Sequence, residues 1–270
     1  RPRSLLDDKI GTANNGLMIS ALAKAAQVLG GDGHSLTLAA TNDGSRERER
    51  VDFLSAAIRA AEFVERELFD ATRGVLFRCW REGRGANEGF AEDYAYFSQG
   101  LLDLYEASFD GRWLAWAAAL QATMDELFWD NAGGGYFNSA ANDASIVLRL
   151  KEDYDGAEPA PSSVAALNLL RLGAIFHQTA YRERGLRCIE AFRPRWSETP
   201  HALPQMLCAL ELALEPPRHV VLAGDAAAAD FRALAAVLHE RLGPRRTILR
   251  ADATVPWTAA MAPVDGRAAA

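Results

Sequence analysis

The chain has 270 residues, 49% hydrophobic and 24% charged, with 36 acidic against 29 basic side chains and a net charge of −7. That length can bury a large core, as one domain or as one with a small companion, while the acidic balance argues against a nucleic-acid binder, which needs a basic footprint. No apolar run reaches membrane-span length and no secretory signal is visible, and Cys79, Cys188 and Cys208 form no CxxC or CxH spacing, so buried thiols in the cytoplasm or another reducing compartment are expected.

In chain order, residues 16–29 are apolar on nearly every side, as in a helix buried between neighbours, and the glycines around Asp32 stop it. Residues 41–50 are polar and charged and read as an exposed loop or lead-in. Residues 51–69 carry one apolar stripe (Phe53, Leu54, Ala57, Ala61, Val64, Leu68) opposite Arg59, Glu62, Glu65 and Arg66, which predicts an amphipathic helix. The cycle then repeats. Residues 93–107 predict a mostly apolar inner helix and 113–128 its outer follower; 162–176 and 181–192 form a third pair; 203–214 predict a fourth inner helix, stopped by Pro216-Pro217. Segments 74–81 and 136–150 are β-type, with Ile146-Val147-Leu148 a β-branched run.

A local pattern recurs with the helices. Leu68-Phe69-Asp70 leads through Gly74 to Phe77, and Phe128-Trp129-Asp130 leads through Gly133-Gly134-Gly135 to Phe137. A long-period repeat of inner and outer helices predicts a mainly α fold, an incomplete (α/α)6 toroid of helical hairpins over residues 1–216. A closed ring of six hairpins needs roughly 300–400 residues; three hairpins and one further inner helix therefore indicate an open ring or a fragment of a longer chain, and the abrupt start favours a fragment. After Pro217 the pattern changes. Residues 219–223 and 247–249 predict strands flanking a helix at 230–242, a small strand–helix–strand α/β unit over 217–270 with a parallel pair. Two strands are too few to stand free, so the unit must dock on the toroid or gain strands.

Three acidic clusters precede or open inner helices: Asp7-Asp8-Lys9, Glu92-Asp93 and Glu152-Asp153-Tyr154-Asp155. Inner helices of an alternating toroid run roughly parallel, so these ends converge on one mouth. There Asp8, Glu92, Asp93 and Asp155 are the candidate general acids and bases, with Asp7, Lys9, Asn15, Tyr94, Trp129, Lys151 and Tyr154 as candidate sugar-binding groups. Two structural explanations compete: acids at helix starts cap free N–H groups and offset the helix dipole, and aromatics at helical spacing pack cores. None of the five histidines (His34, His177, His201, His219, His239) lies in an acidic cluster, and no HxxxH or HExxH spacing occurs, so neither a metal nor a cofactor is expected. His201, just before the fourth inner helix, is the only histidine placed near the mouth.

Several stretches together resemble one family. Asp7-Asp8-Lys9-Ile10 followed by Asn15-Gly16-Leu17-Met18-Ile19 resembles its DDK–x–WNGLMI signature, and Gly89-Phe90-Ala91-Glu92-Asp93-Tyr94-Ala95 its GFLEDYA. Phe128-Trp129-Asp130 with Gly133-Gly134-Gly135-Tyr136-Phe137 resembles its glycine-rich turn, and Tyr154-Asp155-Gly156-Ala157 with Pro159 and Ser163 its YDGAxPSxNS. The family is the YyaL-type, or spermatogenesis-associated thioredoxin-domain, proteins, and the match covers nearly the whole chain. The resemblance implies a thioredoxin-like domain ahead of a toroid similar to N-acylglucosamine 2-epimerase and six-hairpin glycosidases, with a small sugar as ligand, or a non-catalytic module serving a thioredoxin-like partner. Three positions depart from the pattern: Asn14 replaces the signature tryptophan, Gly11 replaces a hydrophobe, and an asparagine near Ser162-Ser163 is missing. These departures remove a stacking surface and an amide from the expected mouth, as in a divergent, inactive relative.

Overall fold

A computed structural model describes residues 8–29, 53–143, 146–215, 218–239, 243 and 246–251. The elements run β1 (Ile10–Gly11), α1 (Thr12–Leu29), α2 (Phe53–Glu67), β2 (Phe69–Asp70), β3 (Val75–Leu76), β4 (Cys79–Trp80), α3 (Ala91–Ser108), α4 (Gly111–Phe128), α5 (Pro161–Phe176), α6 (Thr179–Ala191), α7 (Arg193–Glu198), a 3-10 turn (Pro200–Ala202), α8 (Pro204–Leu214), β5 (Arg218–Ala223), α9 (Ala229–His239) and β6 (Arg246–Ala251). The polar stretch 41–50, the Pro216-Pro217 stop and Asp7 lie outside the described residues.

The hairpin alternation is the observed packing. α1 packs on α2, α3 on α4 and α5 on α6, while α1, α3, α5 and α8 lie side by side as the inner layer. The recurring pattern has a common turn behind it. The Asp70 carboxylate accepts the N–H groups of Thr72 and Arg73, and that of Asp130 accepts those of Ala132 and Gly133. In each copy the chain then returns, Phe77 N–H to Leu68 O at 2.8 Å and Phe137 N–H to Phe128 O at 2.9 Å. Gly74, Gly134 and Gly135 sit at φ near +70°, where a side chain is strained. Lys151 closes the second turn, its Nζ 2.8 Å from both Asp130 Oδ2 and Gly134 O. That contact, with the turn amides, holds the Asp130 carboxyl down to about 2.

Two glycines set how closely the inner layer packs. A Cβ on Gly16 would lie 2.5 Å from the Phe97 nitrogen, and one on Gly100 would lie 2.6 Å from the Gly16 oxygen. α1 and α3 therefore meet backbone to backbone. Farther along, a buried ion network joins three inner helices: Asp103 takes Arg171 at 2.9 Å, Lys24 at 3.1 Å and the Ser20 hydroxyl at 2.6 Å, and Arg171 also meets Glu106 at 3.1 Å. Burial pushes the Asp103 carboxyl up, but the two cations and the hydroxyl outweigh it and leave it below its ordinary value. Removing one partner of such a network leaves a buried unpaired charge, which makes it a register device between α1, α3 and α5.

The β5–β6 pair is parallel and docks on the C-terminal end of α3. Phe109, in the left-handed conformation that ends α3, packs edge-on to Phe231 at 5.1 Å, and Arg250 N–H donates to the Tyr105 hydroxyl at 3.2 Å. The β-type reading of 136–150 is corrected among the described residues. Trp129 and Tyr136 form an isolated bridge, and Val147 is fully exposed with no strand beside it. Branched residues alone could not supply the missing hydrogen-bonding partner.

Candidate functional site

The N-terminal ends of the inner helices are stitched together in order. Asp93, 1% exposed, accepts the Ala13 N–H of α1 at 3.0 Å through Oδ1 and the Phe90 N–H of its own helix start at 2.8 Å through Oδ2. The Tyr96 hydroxyl of α3 donates to Pro159 O, just ahead of α5. Asp155 accepts the Ala160 N–H at 2.7 Å through Oδ1, and the Gln205 and Met206 N–H groups of α8 at 2.8 and 3.3 Å through Oδ2. Four helix starts thus point one way, and their free N–H groups and dipoles are met by carboxylates from neighbouring segments.

Side chains facing solvent surround this seam. Arg78 lies 2.7 Å from Glu92 and 3.5 Å from Asp93, with its guanidinium 4.6 Å from the centre of the Phe90 ring. Arg81 holds Asp8 at 2.7 Å, and the Asp8 side chain is 48% exposed. Asn138 joins the Glu92 and Glu152 segments: its carbonyl accepts the Ala91 N–H and its side-chain oxygen accepts the Glu152 N–H at 3.3 Å. Burial, followed by the nearby carboxylates of Glu92, Asp155 and Glu158, raises the Glu152 carboxyl above its ordinary value. His201 lies in the turn whose Ala202 O accepts the Asp155 N–H, so it stands at this end of the molecule.

The other expected site residues separate. Tyr94 is buried, its hydroxyl accepting the Leu76 N–H at 3.0 Å, and burial pushes it up to about 12. Trp129 is buried against Tyr136, with Arg184 and Arg187 of α6 over its ring, so it belongs to the outer layer. Lys151 is taken by the glycine turn. Asn15 bonds back to Gly11 O at 2.8 Å. Lys9 and Tyr154 are exposed. In this structure Trp129 and Tyr94 are packed in the interior and Lys151 closes a turn. For Asp93 and Asp155 the capping explanation accounts for the carboxylate contacts above except that of Asp93 with Arg78, because both oxygens of each already accept backbone N–H groups. Sequence reasoning missed Arg78, Arg81 and Asn138. The run Phe77-Arg78-Cys79-Trp80-Arg81, two cations set among apolar residues in a short β-type segment, was the available signal for the two arginines; Asn138 gave none.

Burial is the largest influence on Asp93 and pushes its carboxyl up to about 7, although the Phe90 amide and Arg78 pull the other way. Its folded value thus lies above that of the unfolded chain, so the folded state binds the proton more tightly. The stability this proton contributes is complete below about pH 4 and is lost as pH rises through about 7. Asp93→Asn is expected to remove this slope: between pH 5 and 8 the parent loses more unfolding free energy in urea than the variant does. Parallel pH profiles for the two proteins would contradict it.

No family profile matches the chain. Among curated proteins it is 39% identical over 261 residues to human spermatogenesis-associated protein 20, covering 93% of this chain and 31% of that one. It is 40% identical over the same length to the rat protein, and 35% identical over 231 residues to the uncharacterised protein B0495.5 of Caenorhabditis elegans. The chain spans about a third of the length of these relatives. Among solved structures it resembles a sugar epimerase from a ruminal bacterium (18% identity, TM-score 0.50, 68% of this chain and 44% of that one). Cellobiose 2-epimerase from Bacillus thermoamylovorans (13%, TM-score 0.50, 70% and 46%) and a family 105 glycoside hydrolase of C. acetobutylicum (12%, TM-score 0.50, 70% and 49%) share the architecture. These likenesses show the toroid fold, and no helix of the described residues is long and apolar enough to cross a membrane. The ordered motifs, the stitched inner layer and the 261-residue match agree, and the chain belongs to the spermatogenesis-associated protein 20 family.

Proposed function

We propose that the seam at the inner-helix starts binds a small sugar, with Glu92, Asp8 and Arg78 as the groups that meet its hydroxyls and Glu92 as the candidate acid or base. The observation that carries this reading is the Arg78–Glu92 pair, partly exposed at 2.7 Å and stacked on Phe90 at the convergent ends of the inner layer. A guanidinium and a carboxylate side by side offer fixed donors and acceptors, the pairing a polyol needs. Asp93 and Asp155 act beneath it as positioning residues: each ties two helix starts together and so fixes the spacing of the groups above. The toroid architecture, shared with carbohydrate-processing enzymes, supports the ligand class by analogy.

The test is a titration with mono- and disaccharides, cellobiose among them, followed by NMR chemical shifts of the protein. Binding in the millimolar range is expected, and Glu92→Gln should weaken it about tenfold, near 1.4 kcal/mol, without changing the unfolding midpoint. Absence of shifts with every sugar, or equal affinity in the variant, would remove the proposal. Capture of a thioredoxin-fold protein by a chain that binds no sugar would replace it with the interaction-module reading.

A further inference from the structure

Two of the five histidines, 42 positions apart in the chain, meet in the fold. His177 ends α5 in the left-handed conformation, its N–H on Gly173 O, and His219 is the second residue of β5, held by the ladder to β6. Their ring centres lie 5.4 Å apart with the planes tilted by 47°, so the rings touch without stacking face to face. Both residues are exposed, and among the described residues neither imidazole has a hydrogen-bond or ion-pair partner. Partial burial, and then the neighbouring His177, hold the His219 ring below its ordinary value, which leaves it neutral at pH 7.

A neutral imidazole has one nitrogen lone pair to give, and imidazole suits zinc, copper and nickel. With metal–nitrogen bonds of about 2.0–2.1 Å, two imidazoles on one tetrahedral ion have ring centres roughly 5 Å apart, close to the spacing found. The place suits a cation for a second reason. α5, 16 residues long, turns the negative end of its dipole toward His177. Among the described residues no third histidine, cysteine or carboxylate joins the pair. Water must therefore fill the other positions, and the ion must exchange readily.

We propose that His177 and His219 together bind one divalent ion of the zinc, copper or nickel class, as a labile clamp between the end of α5 and strand β5. The clamp gives the α/β unit a second tie to the inner layer, beside the contacts of Phe109 and Tyr105 at the end of α3. No HxxxH-type spacing announces it, because its ligands come from two elements that only the fold brings together.

Copper(II) added to the full chain tests this. Spin-echo modulation at one equivalent is expected to show two bound imidazoles, and calorimetric titration a Kd in the micromolar range. Zinc at ten times its own Kd should raise the thermal midpoint by roughly 3 °C. His177→Asn tolerates the left-handed cap and His219→Thr suits a strand, so both variants keep the fold. Each should weaken copper binding at least tenfold and lose the two-imidazole spectrum. A single-imidazole spectrum from the parent, or unchanged affinity in either variant, overturns the proposal and leaves an adventitious ion only. So does a zinc-induced rise of the midpoint that survives in the double variant.

Discussion

Gly16→Ala is expected to destabilise the protein by about 3 kcal/mol, and Gly16→Val to abolish the cooperative unfolding transition. Helix propensity alone gives the opposite sign, since alanine stabilises a helix interior by about 1 kcal/mol relative to glycine. The structure decides between them. The new Cβ would stand 2.5 Å from the Phe97 nitrogen and the Tyr96 carbonyl carbon. Those are backbone atoms of α3, so no rotamer change can relieve the overlap and the two helices must move apart. That motion breaks the Asp93 bond to Ala13 and opens the buried ion network at Asp103. Urea denaturation of the alanine variant settles the matter, and an unchanged or raised midpoint would show that the α1–α3 contact is looser than described.

Asp155→Ala should cost about 3–5 kcal/mol, the second large effect. Its two oxygens accept three backbone N–H groups, from Ala160, Gln205 and Met206, so truncation leaves three donors without their acceptor and uncaps α8. Asp155→Asn keeps one acceptor oxygen and should recover part of that loss. Guanidinium unfolding curves with unchanged slope and a lowered midpoint are the expected readout. A variant within about 0.5 kcal/mol of the parent would mean that the carboxylate does not hold α8 in place. Asp155 cannot at once satisfy these amides and serve freely as a catalytic base, which makes stability, before sugar affinity, the property it governs.

Much of the architecture was legible in the residues. The alternation of all-round apolar and striped helices gave the hairpins, and the Asp-to-Gly turns gave their ends, because hydrophobic periodicity and turn chemistry are local properties. Helix starts were less legible. Residues 16–29 predicted α1, yet it begins at Thr12. Its first turn holds because a carboxylate 80 positions away caps Ala13, and a cap borrowed from another helix leaves no mark at the helix it serves. The same distance problem hid the site. Asp93 and Asp155 are conspicuous in sequence, but whether such acids face a ligand or a backbone amide depends on what the fold brings opposite them. Trp129 and Lys151 stand beside the acidic clusters in sequence, and only the fold shows that one packs on Tyr136 and the other closes the Asp130 turn.

By itself the sequence determined an alternating helical toroid with a small parallel α/β tail and acidic clusters at the inner-helix starts, since each follows from the spacing of apolar residues and turn formers along the chain. Tertiary structure alone decided that Asp93 and Asp155 stitch helix starts together, that Arg78 stands beside Glu92, and that α1 and α3 touch at Gly16 and Gly100. The physical reason is that hydrogen bonds, ion pairs and steric contacts act across ångströms of space, and the chain brings its partners within that reach only after it has folded.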